Sequence, residues 1–376
     1  MRNISKDTRV LWLDGIFDQK TLLDFPSISP AINLWQSGFV YSLQSLDSKV
    51  EVIGHPCERI WPFGRAVISA NLVSLAPQLS GMIVPYVNIP LLRRVSQTLS
   101  YFNSVLKSIK LSGRPDYVIT VNTSYAITVA KYLRKYLGVP WICIVADGIA
   151  PQGADGYVYL TWNYYKSLSA PGPKIHIDGG IPLIPVPVNN NIYLNQSRNK
   201  ILMYMGALTK HGGSTFLARA FHLLPDGDIQ LWIAGRGVNS ELTRLSKIDS
   251  RIKIFGFVSD FDLHELASKA GVFVNPRPIN FSPNKLNYPS KLLHYLAYGK
   301  PILSTFSDGL SPEYTNVLIP INEESESGMA AMIQNTLNMS ETEYLQWCNR
   351  ITLFNETHTW VHQITRFISW LPLKGR

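Results

Sequence analysis

Arg277, Ser290, Lys291 and His294 are the residues whose types and spacing most directly offer chemistry. They fall in FVNPRPINFSPNKLNYPSKLLHYLAYGKPILSTFSDGLSPEY, residues 273–314. The apolar run 271–275 reads as a buried strand, and a polar Pro/Asn loop follows it. Pro289-Ser290-Lys291 opens a helix that stops near Gly299, and residues 301–305 read as a second strand. In such a βαβ unit the connection leaving the first strand lies at the carboxyl edge of a parallel sheet, where open α/β sheets bind ligands. A helix N-terminus there offers unpaired N–H groups and partial positive charge. Lys291 adds a full charge, and Arg277 a planar fork suited to phosphate oxygens. Lys210 sits in a second Gly-containing loop, residues 206–213. Converging on one edge, these groups would hold a diphosphate. The plainer alternative makes Ser290 an N-cap and Lys291 a solvated lysine, and spacing alone does not separate the two. His294, one turn on, shares their face. It is either a ribose or phosphate ligand or a structural histidine. Glu313 and Tyr314 follow the next strand's loop and are either site groups or ordinary loop residues.

In the N-terminal half, Asp147 directly follows the apolar strand WICIVA. A carboxylate so placed can act as a general base, or it can simply cap the next turn. Asp14, His55, Asn122 and Asp178 are weaker candidates of the same kind. The first strand is not followed by G-x-G-x-x-G, and the chain has no Walker A motif, no H-E-x-x-H and no clustered Cys/His set. Dinucleotide binding and metalloprotease chemistry are therefore disfavoured.

Positioning these residues takes a repeated alternation of strands and helices. Strands are expected at 9–13, 50–53, 117–121 and 141–146, and helices at 31–43 and 125–137. Residues 14–29 are read as a polar loop, and 67–90 as short strands and turns. The stretch IPLIPVPVNNNIYLNQSR, residues 181–198, has no helical period and reads as a linker. The alternation then restarts, with strands at 201–205, 229–234 and 252–255, and two or three helices close the chain. Two α/β doubly wound domains facing each other follow. The expected boundaries are an N-terminal domain over 1–182, a linker over 183–199, a C-terminal domain over 200–358 and a terminal segment over 359–376.

At 376 residues, 46% hydrophobic and 11% aromatic, the chain is globular and long enough for two cores. Cys57, Cys143 and Cys348 are far apart and show no metal-ligand spacing, which points to a reducing, cytosolic compartment. The polar start MRNISKDTRV predicts no signal peptide, and no apolar run reaches membrane-span length. The net charge of +9 leans to the N-terminal half. Residues 91–114 hold Arg93, Arg94, Lys107, Lys110 and Arg114 without an acid, interleaved with apolar residues. This reads as a basic amphipathic helix: an ordinary surface helix, or peripheral attraction to anionic lipid at the inner membrane face. Nucleic acid is disfavoured, because no dense basic cluster occurs.

The C-terminal half resembles the nucleotide-sugar domain of bacterial GT-B glycosyltransferases of the family 4-like, group 1 type, which assemble cell-surface polysaccharides and exopolysaccharides. The resemblance rests on YMGALTKHGG (204–213), LWIAGRG (231–237), RIKIFGFVS (251–259), FVNPRP (273–278), YPSKLLHYLAYGKPILST (288–305) and PEY (312–314). More loosely, SPAINLWQSGFVYSL (29–43) is similar to the acceptor domain, and TWVHQITRFISWL (359–371) to a terminal helix that crosses back to it. The resemblance implies two Rossmann-like domains across a cleft, with a nucleotide-diphospho-sugar, UDP-linked, as co-substrate and no cofactor. It implies that Gly206, Ala207 and Lys210 face the sugar diphosphate, that Phe257 and Val258 hold the base, and that Arg277, Ser290 and Lys291 bind phosphate. Tyr314 belongs to the same donor-binding set. His294 stands where many members carry a ribose-binding glutamate, and the usual E-x7-E pair is absent, since Leu286 lies eight residues earlier. Asp147 is the match to the N-domain aspartate that serves as base in related glucuronosyltransferases.

The expected activity is transfer of a sugar to a saccharide or lipid-linked saccharide acceptor by a metal-independent transferase. A nucleotide-sugar epimerase on the same fold and a non-catalytic nucleotide-sugar binder stay open beside it. Epimerisation needs no acceptor, and a binder would neither transfer nor hydrolyse.

Overall fold

The computed structural model describes residues 8–76, 79–122, 124–146, 148–167, 172–182 and 199–371. The chain divides into two compact units, Met1–Gly180 with Trp360–Arg376, and Ile181–Thr359. The expected linker 183–199 lies, except for Asn199, outside the described residues.

In the first unit the strands are β1 (Arg9–Leu13), β2 (Lys49–Gly54), β3 (Val67–Ile68), β4 (Asn71–Ala76), β5 (Leu79–Ile83), β6 (Tyr86–Val87), β7 (Tyr117–Val121), β8 (Trp141–Val145), β9 (Gly156–Tyr159) and β10 (Lys174–His176). Eight of them form one sheet in the order β10-β9-β8-β7-β1-β2-β5-β4, while β3 and β6 pair separately. All neighbours in the large sheet are parallel except β4 and β5. β7 and β8, YVITV and WICIV, are buried at every position. Central parallel strands covered on both faces need such unbroken apolar runs rather than alternation. The strand order reverses between β1 and β7, which pair in register Leu11↔Val118. That is the topological switch point of this sheet.

One element of this unit departs from the sequence reading, and a second shows which of its faces is buried. The stretch after β1 contains a short helix, Gln19–Asp24, started by Asp18, whose carboxylate accepts the Thr21 N–H at 2.9 Å. The basic helix, Leu92–Ser112, turns Gln97, Tyr101, Val105 and Ser108 inward. Its leucines and Val95 therefore face out. The terminal helix Trp360–Trp370 packs on the helix Pro30–Ser45, with Trp35 and Trp360 rings 5.5 Å apart and Phe39 and Phe367 rings 5.0 Å apart.

The second unit has β11 (Ile201–Met205), β12 (Gln230–Ala234), β13 (Ile252–Gly256), β14 (Val272–Asn275), β15 (Ile302–Ser304) and β16 (Ile319–Pro320). Their order is β13-β12-β11-β14-β15-β16, all parallel. The switch point lies between β11 and β14, paired at Leu202↔Val272 and Met203↔Phe273. Three helices close the chain: Glu326–Asn338, Glu341–Thr357 and Trp360–Trp370. The second begins with a full capping box between Ser340 and Glu343. Among the described residues no helix is long and apolar enough to cross a membrane.

Candidate functional site

The loops leaving β11 and β14 carry the cationic residues, and they meet at the switch point of the second unit. The first loop turns at Gly206, with φ +152°, where its N–H donates to Ala234 O at 3.0 Å. It ends at Gly213, also at positive φ (+77°), where an added Cβ would strike Pro276 O of the second loop. Asn284, 2% exposed, ties the two loops together by donating to His211 O at 3.1 Å and Pro278 O at 2.8 Å. The second loop is held further by Thr305, whose hydroxyl donates to Arg277 O at 2.6 Å. Glu324 accepts the N–H groups of Ile279 and Asn280 at 2.8 and 3.1 Å. Asn284 and Glu324 were not singled out from sequence. Polar residues in an irregular loop give no periodic signal of the contacts they make.

Lys291 lies at the centre. Its Nζ is buried, has no hydrogen-bond partner, and stands 4.0 Å from the centre of the Tyr204 ring. An added Cβ on Gly206 would come within 3.4 Å of it, so glycine there keeps the ammonium in place. Burial, with Arg277 nearby, holds the Lys291 amine well below the usual lysine range. Arg277 is lowered as well, first by burial, and its Nε is also buried without a partner. Tyr204 and Tyr295, whose hydroxyls are held by the Ala207 and Met205 carbonyls at 2.8 and 3.0 Å, form the site's aromatic wall. Their place in it is a structural finding.

The buried Lys300 shows what a structural lysine looks like in this unit. Its Nζ donates to Ser268 O and Ala270 O at 2.6 and 2.5 Å. Two lysines of one helix-strand stretch are thus both buried, and only one of them has acceptors.

The other expected site residues divide. Ala207 sits in the loop with its carbonyl engaged by Tyr204. His294 is half-buried and held neutral by burial, which lowers it, against the opposing pull of Asp260. Asp260 opens the helix that follows the loop carrying Phe257 and Val258, so His294 lies toward that loop. Phe257 is exposed and covered by the Arg236 guanidinium at 4.1 Å, while Val258 packs against the core. Lys210 is exposed, with its Nζ 5.8 Å from the Phe281 ring rather than beside Lys291.

Two expected residues have a different setting from the one the sequence suggested. Tyr314 is fully buried, and its hydroxyl meets that of Tyr288 at 2.7 Å, so it is a core residue behind the loop. Ser290 is exposed, has helical φ and ψ, and makes no capping bond. The helix it opens has only seven residues, Lys291–Ala297, and the Ser290, Leu292 and Leu293 amides already donate to the Tyr288, Pro289 and Ser290 carbonyls. The positive field of this edge therefore comes from side chains rather than from a helix end. Asp147 lies outside the described residues.

Residues 199–338 match the family model of the glycosyl transferases group 1. This stretch is similar to the group 1 glycosyltransferases. No curated protein matches the chain in sequence. Among solved structures, the glycosyltransferase fold extends over nearly the whole chain. Anabaena HepE in complex with UDP is similar with a TM-score of 0.66 at 12% identity, over 97% of this chain and 100% of that one. Sucrose-phosphate synthase from Thermosynechococcus elongatus gives 0.64 at 15%, over 96% and 98%. Trehalose 6-phosphate synthase from Burkholderia multivorans gives 0.62 at 12%, over 97% and 98%. At these identities the likeness shows the fold, which is that of the GT-B glycosyltransferases.

Proposed function

We propose that this glycosyltransferase takes a sugar from a UDP-linked donor held at the β11–β14 edge. We further propose that it passes the sugar to a saccharide or lipid-linked saccharide of a cell-surface polysaccharide. The observation that carries the donor assignment is Lys291: a buried ammonium without an acceptor, beside an equally unpartnered Arg277 Nε. A buried cation without a counter-charge is costly, and a diphosphate supplies that charge when it binds. During transfer, negative charge grows on the leaving diphosphate, and the same two cations stabilise it without a metal. UDP-linked chemistry is supported by HepE, whose structures hold UDP, UDP with glucose, and UDP-glucose. Phe257 and Arg236 would take the base, and His294 the ribose or the sugar.

Membrane attachment at the cytoplasmic face is supported by the outward side of the helix Leu92–Ser112. Leu91, which precedes it, is 95% exposed and sits at a positive φ of 68°, unusual for a leucine. Leu92, Val95, Leu99 and Leu106 are exposed along the helix among Arg94, Lys107 and Lys110. Trp61 and Phe63 are exposed as well, in a loop that Asn88 ties to the segment leading into this helix by donating to the Arg59 and Arg65 carbonyls. Apolar residues beside basic charge fit an anionic bilayer surface.

Thermal unfolding with UDP, GDP and dTDP tests the donor assignment, because a ligand of the native state raises the midpoint. UDP is expected to shift it most, and no shift with any of the three removes the reading. Flotation with phosphatidylglycerol against phosphatidylcholine vesicles tests the membrane contact. Equal recovery with both lipids would dismiss it.

A further inference from the structure

The connection leaving β14, residues 276–290, has one short helix, Ser282–Lys285, and no strand of its own. The loops after β15 and β16 hold it instead. The Thr305 hydroxyl donates to Arg277 O at 2.6 Å, and the Ser307 hydroxyl to Asn287 O at 2.7 Å. The Asp308 N–H donates to Lys285 O at 2.8 Å. Glu324 works in the other direction. Its two carboxylate oxygens accept the Ile279 and Asn280 N–H groups at 2.8 and 3.1 Å. Hydrogen bonds to an ionised acceptor are stronger than neutral ones, so this pair is the firmest of the set.

Glu324 is itself fixed. It stands one residue before Ser325, whose side chain caps the helix Glu326–Asn338 by accepting the Gly328 N–H at 2.9 Å. Arg277 lies between that anchor and the end of β14, where Asn275 is in register with Ser304. The Arg277 Nε has no partner, so the main chain on either side has to aim the guanidinium. Tyr204 and Tyr295 act on that guanidinium directly, whereas Glu324 reaches it through the backbone. A cavity of about 580 Å³ opens beside the clamp, lined by Ile279, Phe306, Leu318, Ile321 and Glu324. Ile279 is one of the residues that Glu324 holds, and without the carboxylate the loop has room to sink into that space.

We propose that Glu324 is a positioning residue for the donor: by clamping Ile279 and Asn280 it sets the Arg277 guanidinium where the diphosphate arrives. This rests on the donor reading above. Thr305 belongs to the same device, since its hydroxyl fixes the carbonyl of Arg277 itself. Holding the loop before the ligand binds removes an ordering cost that binding would otherwise carry. The clamp also fixes the sign of the effect. Were Glu324 only an acid near a cationic edge, its removal would strengthen UDP binding, because the anionic ligand would meet less repulsion. As a clamp, its removal weakens UDP binding.

The test measures UDP affinity by calorimetry on the full chain, in wild type, Glu324→Ala, Glu324→Gln, Glu323→Gln and Thr305→Val, each alone and combined with Arg277→Met. Glu324→Ala is expected to weaken UDP binding about tenfold. Glu324→Gln should weaken it about threefold, because the amide keeps one acceptor and turns an N–H toward an N–H. Thr305→Val, which loses one hydroxyl bond, should also weaken it about threefold. Glu323→Gln removes the same charge one residue away and should leave affinity unchanged. With Arg277→Met the Glu324 and Thr305 effects should shrink below about twofold, since no guanidinium is left to aim. Urea unfolding confirms that each variant is folded, and the near-isosteric Glu324→Gln and Thr305→Val carry the test if Glu324→Ala is not. Unchanged or tighter UDP binding by the Glu324 variants, or losses of equal size with and without Arg277, overturns the clamp. Failure of the wild-type protein to bind UDP overturns the donor reading instead.

Discussion

The carboxyl edges of the two sheets have the same topology and opposite chemistry. At β11–β14 the buried groups are Lys291 and Arg277, and neither lysine Nζ nor arginine Nε has a partner. At β1–β7 the corresponding groups are a half-buried carboxylate and a half-buried, neutral imidazole ringed by tyrosines. The fold places a crevice in both sheets, but the side chains decide what enters each one. A cationic edge suits a diphosphate, and an acidic, aromatic edge does not. Each charge is held where solvation is poor.

The largest effect should come from separating the two buried lysines. Lys291→Met keeps volume and removes the charge, so UDP affinity should fall by about 100-fold, about 3 kcal/mol for a charged contact. The unliganded protein should be no less stable, because an uncompensated buried charge is gone. Lys300→Met should do the reverse. It strips the donor from Ser268 O and Ala270 O, costs about 2 kcal/mol, and leaves UDP affinity unchanged. Calorimetry and urea unfolding on both variants check this, and the same pattern in both would erase the distinction.

Asp14 comes next. Its carboxyl, raised from 3.8 to about 6, keeps its proton in the native state where the unfolded chain has lost it. Stability therefore falls as pH rises from about 4 to about 6 and stays lower above that. The cost is at most about 3 kcal/mol, at about 1.4 kcal/mol per unit. His55, lowered to about 4, acts with the opposite sign and removes stability as pH falls from about 6.5 to about 4. The difference between wild type and Asp14→Asn isolates the first of these. The variant should be about 2 kcal/mol more stable at pH 7, with the gap closing toward pH 4. A pH-independent gap would mean that Asp14 is well solvated.

What the sequence made legible follows from what each signal measures. Continuous apolar runs such as WICIV and VFV mark central parallel strands, because burial on both faces leaves little room for polar residues. The βαβ alternation gave both sheets, and the spacing of Arg277 and Lys291 gave their edge. Periodicity does not say which stripe of a helix faces inward. In Leu92–Ser112 the buried set includes Gln97 and Ser108, while Leu92 and Leu99 face out. Nor does it tell Lys291 from Lys300, since the difference is whether a carbonyl lies within reach. Asp14 and Asp147 both follow apolar strands, and only the packing of Gln36, Tyr101 and Gly54 around Asp14 shows that it is desolvated.

Gly206→Ala should have an intermediate effect. It forces a side chain into φ +152° and crowds Tyr204 Oη at 3.2 Å and Lys291 Nζ at 3.4 Å. A loss of about 1–2 kcal/mol in stability is expected, with UDP affinity about tenfold weaker as the ammonium is displaced. Stability loss with unchanged affinity would show that Lys291 does not depend on this loop.

The smallest effect is expected at Ser290, where sequence reasoning placed both a cap and a phosphate ligand. Its hydroxyl makes no capping bond, and its backbone is already helical. The substitution Ser290→Ala therefore removes no intramolecular bond, and stability should change by less than about 0.5 kcal/mol, against about 1 for a working cap. UDP affinity then reports on the ligand alone. A change within about threefold leaves the site's attraction to Lys291 and Arg277. A drop of tenfold or more would mean that phosphate recruits the serine on binding, and that the cationic edge is completed by a hydroxyl.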